Sequence, residues 1–117
     1  MMSLQTKLER IRLAFELAEV LHENGVSVYH YWRPGTEPRY VIWEEDGEMS
    51  SLEADNHKGE QSITGVVDFY TLTEFDTMFD EIQNILNGIE GLWWSYDGTQ
   101  FEEDTNYIHH TWRWGLL

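Results

Sequence analysis

His109 and His110, with Glu102 and Asp104 a few positions before them, come nearest to a metal-ligand set in this chain. Imidazole nitrogens and carboxylate oxygens make a zinc site when they converge on one point. Neighbouring residues on a strand face opposite ways, so the histidine pair cannot close on a single ion. The acidic run Glu44-Glu45-Asp46-Gly47-Glu48 has the charge of a calcium loop but lacks its alternating oxygen ligands and its final bidentate glutamate. It reads as a solvated hairpin turn. His22 and His30 offer imidazole bases, yet no Ser, Thr or Asp context joins either to a catalytic set. Cysteine is absent, which removes disulfides and thiolate metal sites, and the chain has no phosphate-cradling glycine loop and no nucleophile elbow. These residues predict no catalytic group, no bound metal and no cofactor.

The aromatic residues are the stronger signal. Trp93, Trp94, Trp112 and Trp114 stand at adjacent or alternating positions, so one strand face cannot bury them all. A buried aromatic contributes roughly 1.5 to 3 kcal/mol, whereas a large exposed aromatic patch marks an interface. Two assignments stay open. Either Trp94, Tyr96, Trp112 and Trp114 plug the core while a neighbouring strand covers Trp93, or Trp93, Trp112 and Trp114 present an edge and a face to a partner. The polar stretch from Met49 to Gly59, with Leu52, Asp55 and Asn56, is long for a connection inside a compact domain and is the second candidate contact region.

The elements that must position these residues follow from periodicity. Leu8, Ile11, Ala14, Phe15, Ala18 and Leu21 fall on one helical face, with Thr6 and Glu9 as a capping box, Lys7 on the polar side and Gly25 as the stop. Val26 to Arg33 alternates as a strand until Pro34-Gly35, and Arg39 to Glu45 gives a second strand closed by an Asp46-Gly47 turn. Ile63 to Tyr70 is β-branched and aromatic. Thr73 then reads as the N-cap of a second helix with Glu74 and Asp76 in its first turn, an apolar stripe from Phe75 to Ile89, and Gly88 as its end. Two more strands follow, Gly91 to Asp97, ended by Asp97-Gly98, and Asn106 to Trp114. The order α-β-β-β-α-β-β predicts a single α+β domain over residues 1–117. Two helices lie on one face of a mostly antiparallel five-stranded sheet.

Charge narrows the partners. With 22 Asp and Glu against 7 Lys and Arg, the formal net charge is −15, and such a surface repels phosphate backbones and anionic lipid. No stable nucleic-acid or membrane binding is expected. No apolar run reaches the roughly 18 residues of a membrane span and no signal-peptide core is present, so the sequence predicts a protein made and kept in the cytosol.

In order along the chain come a leading helix into Val26-Ser-Val-Tyr-His-Tyr-Trp, then Pro38-Arg-Tyr-Val-Ile-Trp-Glu-Glu, and then Ala54-Asp-Asn before Ile63-Thr-Gly-Val-Val-Asp-Phe-Tyr-Thr. The helix from Thr73 to Leu86 follows, and the chain ends with Phe101-Glu-Glu-Asp running on to Trp112. This series resembles the tail-completion proteins of long-tailed bacteriophages and prophages, also called tail-terminator, head-tail joining or minor tail proteins. In that family a small-Asp-Asn element precedes a strand ending in Asp-apolar-Tyr-Thr, matched here by Asp55-Asn56 and by Asp68-Phe69-Tyr70-Thr71. The tryptophan-rich final strands and the very acidic balance depart from the family's usual look. The resemblance implies a structural virion subunit, assembled in the bacterial host cytoplasm into a ring, commonly a hexamer. That ring caps the tail tube protein and meets a head-completion or connector protein in the neck. The competing expectation is an acidic, DNA-mimicking inhibitor seated in a basic enzyme groove, which would need carboxylates spaced like phosphates along one face.

Overall fold

The computed structural model describes residues 3–48 and 62–117. The stretch from Met49 to Gly59, and with it Leu52, Asp55 and Asn56, lies outside the described residues. The elements in chain order are α1 (Leu4–Glu16), α2 (Glu19–Glu23), β1 (Ser27–His30), β2 (Tyr40–Glu48), β3 (Ile63–Thr71), α3 (Met78–Asn87), β4 (Leu92–Glu102) and β5 (Tyr107–Leu116). The strands form one sheet in the order β1-β2-β3-β5-β4, antiparallel except for the β1/β2 pair. The helices cover one face. This is the α+β architecture that the grouping of the elements predicts.

The leading helix is two helices. Ser3, not Thr6, caps α1, accepting from the Thr6 N–H at 3.1 Å, while Glu9 is drawn instead to Arg12 at 2.7 Å. The chain breaks at Leu17 and Ala18, where Ala18 turns extended, and α2 resumes at Glu19. The His22 ring closes on the Glu16 carbonyl at 2.6 Å, satisfying an acceptor that the break would otherwise orphan. Gly25, with φ of 74°, then ends α2 in the left-handed conformation glycine tolerates best. The break leaves Leu17 exposed and takes Leu21 into the core beside Ile11 and Phe15. Lys7 is buried on α1 rather than solvated.

Both Asp-Gly dipeptides are bulges, not turns. The β2/β3 register slips between Glu45 and Gly47 and the β4/β5 register between Tyr96 and Gly98, so Asp46 and Asp97 are the extra residues and both strands run on. The turn that closes the β4/β5 hairpin lies farther along, where the Asn106 N–H reaches the Glu102 carbonyl at 2.8 Å and Asn106 itself is left-handed.

The second helix begins at Met78, four residues later than a cap at Thr73 would set it. Thr71 Oγ1 accepts from the Thr73 N–H and donates to Asp76 Oδ2, and Asp76 Oδ1 accepts from the Met78 N–H at 2.9 Å. Asp76 thus caps α3, and Phe75, expected in the helical stripe, is thrown outward instead. The remainder of the stripe holds: Met78, Ile82, Leu86 and Ile89 are buried against the sheet.

The same alternation sorts the sheet. Val41, Trp43, Val67, Phe69, Trp112, Trp114 and Leu116 lie under the helices, whereas Ile42, Asp68, Tyr70, His109 and Thr111 face the open side.

Candidate protein-interaction surfaces

The proposed contact tryptophans part company. Trp112 and Trp114 are fully buried, so neither presents an outward edge, and their place as interface residues is corrected to core. The physical reason is register. Trp112 pairs with Val67 and Trp114 with Gly65, both on the helix-covered face, where α3 closes over them. Trp112 Nε1 donates to Gln83 Oε1 at 3.0 Å, and Trp94 Nε1 donates to Asn87 Oδ1 at 2.9 Å, so one polar step of α3 docks on two indoles. Trp93 points to the other side, lies across Gly115 and keeps 42 % of its surface exposed. Among the described residues no strand covers it from outside, because β4 is an edge.

A second aromatic group sits beside the opposite edge. Tyr31 and Trp32 follow β1 directly, and Trp32 is 67 % exposed. Tyr31 has a φ of 73°, a left-handed conformation unusual for a bulky side chain. Its hydroxyl donates to Glu45 Oε2, whose other oxygen lies 2.8 Å from His30 Nε2, and His30 stacks between Tyr31 and Trp43. Burial acts to raise the Glu45 carboxyl, but the Tyr31 and His30 hydrogen bonds outweigh it and hold the group below the ordinary carboxylate range. The periodicity of the sequence places Tyr31 and Trp32 inside a strand. The Pro34-Gly35 breaker ends that pattern at Arg33, whereas the strand stops at His30, where Tyr31 turns left-handed.

The open face carries a ring-and-carboxylate layer. Tyr40 and Tyr70 stack with centroids 4.6 Å apart, Tyr70 stacks on His109 at 4.1 Å, and Arg33 sits 4.1 Å over the Tyr40 ring. His109 Nε2 lies 2.7 Å from Asp68 Oδ1, which also accepts from Thr111, and Glu102 lies 3.6 Å from the other ring nitrogen. The two carboxylates thus flank His109 on opposite sides and do not converge. His110, one residue on, is on the helix side, where it meets Thr99 Oγ1 at 3.0 Å. Burial, with His109 adding to it, pushes the His110 imidazole toward its neutral form. Among the described residues no group of three or more His, Asp or Glu is placed to hold a metal ion.

No protein-family model and no curated protein matches the chain.

Proposed function

We propose that this protein is a structural subunit that joins to copies of itself as a ring and terminates a bacteriophage or prophage tail tube, where the ring meets the head-completion or connector protein. It performs no reaction. One observation supports the ring above the others. Exposed aromatics sit at both edges of the same sheet, Tyr31 and Trp32 beside β1 and Trp93 on β4, so the surfaces offered to neighbours are different and lie apart. Unlike patches on opposite sides favour head-to-tail contact, which closes into a ring when the rotation between subunits is right. The resemblance along the chain supplies the place of action, the neck of the virion after assembly in the host cytoplasm. The acidic surface suits a passage through which DNA slides without sticking.

Subunits that each carry a formal charge of −15 repel one another, so apolar contact must offset that repulsion and screening must favour assembly. Sedimentation at high protein concentration should show association rising with salt. Trp32→Ser and Trp93→Ser should each weaken it while the circular dichroism stays that of the wild type. A protein that remains monomeric at low and high salt, alone and with tail tube protein added, would overturn the reading.

A further inference from the structure

Between the loop leading into α3 and the outer part of the β4/β5 hairpin lies an apolar groove of about 440 Å³. The groove exists because the hairpin outruns the helix. α3 starts at Met78 and docks on Trp112 and Trp94, and its Phe79 ring meets His110 edge-on at 4.9 Å, while the strands run on beyond it to the Phe101/Ile108 pair, where among the described residues no helix lies above them. Phe75 and Phe79 line the groove from the loop and helix, and Ile108 and His110 line it from the strand. Phe101, across from Ile108, is 60 % exposed.

Phe75 is costly to the monomer in two ways. The residue is 95 % exposed, and its φ of 55° puts an aromatic side chain in the strained left-handed region. A ring held out beside an apolar groove is what an anchor point for another molecule requires.

Charge selects the occupant. Glu74 and Asp80 stand exposed at the rim, Asp76 is taken by Arg39 at 3.0 Å, and among the described residues His110 is the only other titratable side chain lining the groove. The cavity is therefore apolar within and negative around its lip. We propose that it docks a segment of another protein carrying an apolar anchor residue flanked by Lys or Arg. A second copy of this chain is a poor fit, having 7 basic residues to set against 22 acidic ones. The proposal does not rest on the ring, since Trp93 lies at the other end of β4 and on the other face.

A bead-displayed library of random peptides, selected on the wild-type protein, tests it. The enriched peptides should combine an apolar residue with basic flanks and bind saturably. They should bind at least tenfold more weakly to Phe75→Gly and to the doubly reversed Glu74→Lys, Asp80→Lys variant. Phe75→Gly removes the ring and relieves the backbone together, so its thermal midpoint should not fall, which separates loss of a docking anchor from loss of fold. The proposal is overturned by a library that yields no enriched peptide, by acidic flanks, or by equal affinity for the variants. It is equally overturned if the wild type dimerises with concentration and Phe75→Gly does not, because the groove then belongs to a second copy.

Discussion

Two tryptophans of this sheet lie across two glycines, one pair on each face. Trp114 on β5 covers Gly65 on β3 beneath the helices, and Trp93 on β4 covers Gly115 on β5 on the open side. In both pairs a Cβ on the glycine would run into the indole. The local chemistry is the same, a large ring filling the gap that a glycine leaves in a strand. Only the layer above differs. Trp114 is sealed by helices and becomes core, while Trp93 stays half in water and remains available. Residue type and cross-strand partner therefore do not decide whether an aromatic belongs to the fold or to a partner; the face does.

The largest expected effect tests that contrast directly. Trp114→Ser should cost about 3 to 5 kcal/mol and take the helical circular dichroism with it, whereas Trp93→Ser should cost the monomer about 1 kcal/mol or less in denaturant unfolding. Equal costs would break the comparison. Next come the glycines. Gly65→Ala would press on both the Trp114 ring and the Glu44 backbone carbonyl, neither free to move, and should lose about 2 to 3 kcal/mol. A Cβ at Gly115 first meets the half-exposed Trp93 ring, which can swing away, so the loss in Gly115→Ala should stay near about 1 kcal/mol.

The last test concerns the cap on the covered side. Burial acts to raise the Asp76 carboxyl, but the Thr71 hydroxyl, the Met78 N–H and Arg39 outweigh it and hold the group below its ordinary value. A depressed carboxylate adds stability above the unfolded-state value and gives it up as the pH drops through the folded one. The wild type should lose this contribution below about pH 4. Asp76→Asn should lose about 1 to 2 kcal/mol already at neutral pH and show a flatter acid limb in thermal melts.

Much of the fold was legible because burial leaves a period. The alternation of β3, the stripe of α3 and the grouping of helices and strands all write the covered face into the chain. What escaped was local hydrogen bonding that outbids a familiar signal. Thr73 looks like a cap until the Thr71 hydroxyl and Asp76 are seen to bond each other, and Asp46-Gly47 and Asp97-Gly98 look like turns until neighbouring strands carry their pairing past them. The contact surfaces were half legible. Trp93 is outward in only one of the two assignments the sequence leaves open, and Trp112 and Trp114 alternate just as an outward pair would, so that only strand register puts them under the helices. Phe75 was hidden by its fit to a helical stripe that starts one turn too late to include it.

The parallel pairing of β1 and β2 needs only residues 31–39 to bring the chain back, because β1 is four residues long. The sheet is thus lopsided, an eleven-residue lip at β4 facing away from a four-residue stub at β1. Ladder bonds alone cannot carry such a sheet from molecule to molecule, since the stub runs out after two rungs or so. That mismatch guards against runaway fibre growth along the backbone, and leaves any orderly seam between copies to the side chains around Trp32 and Trp93.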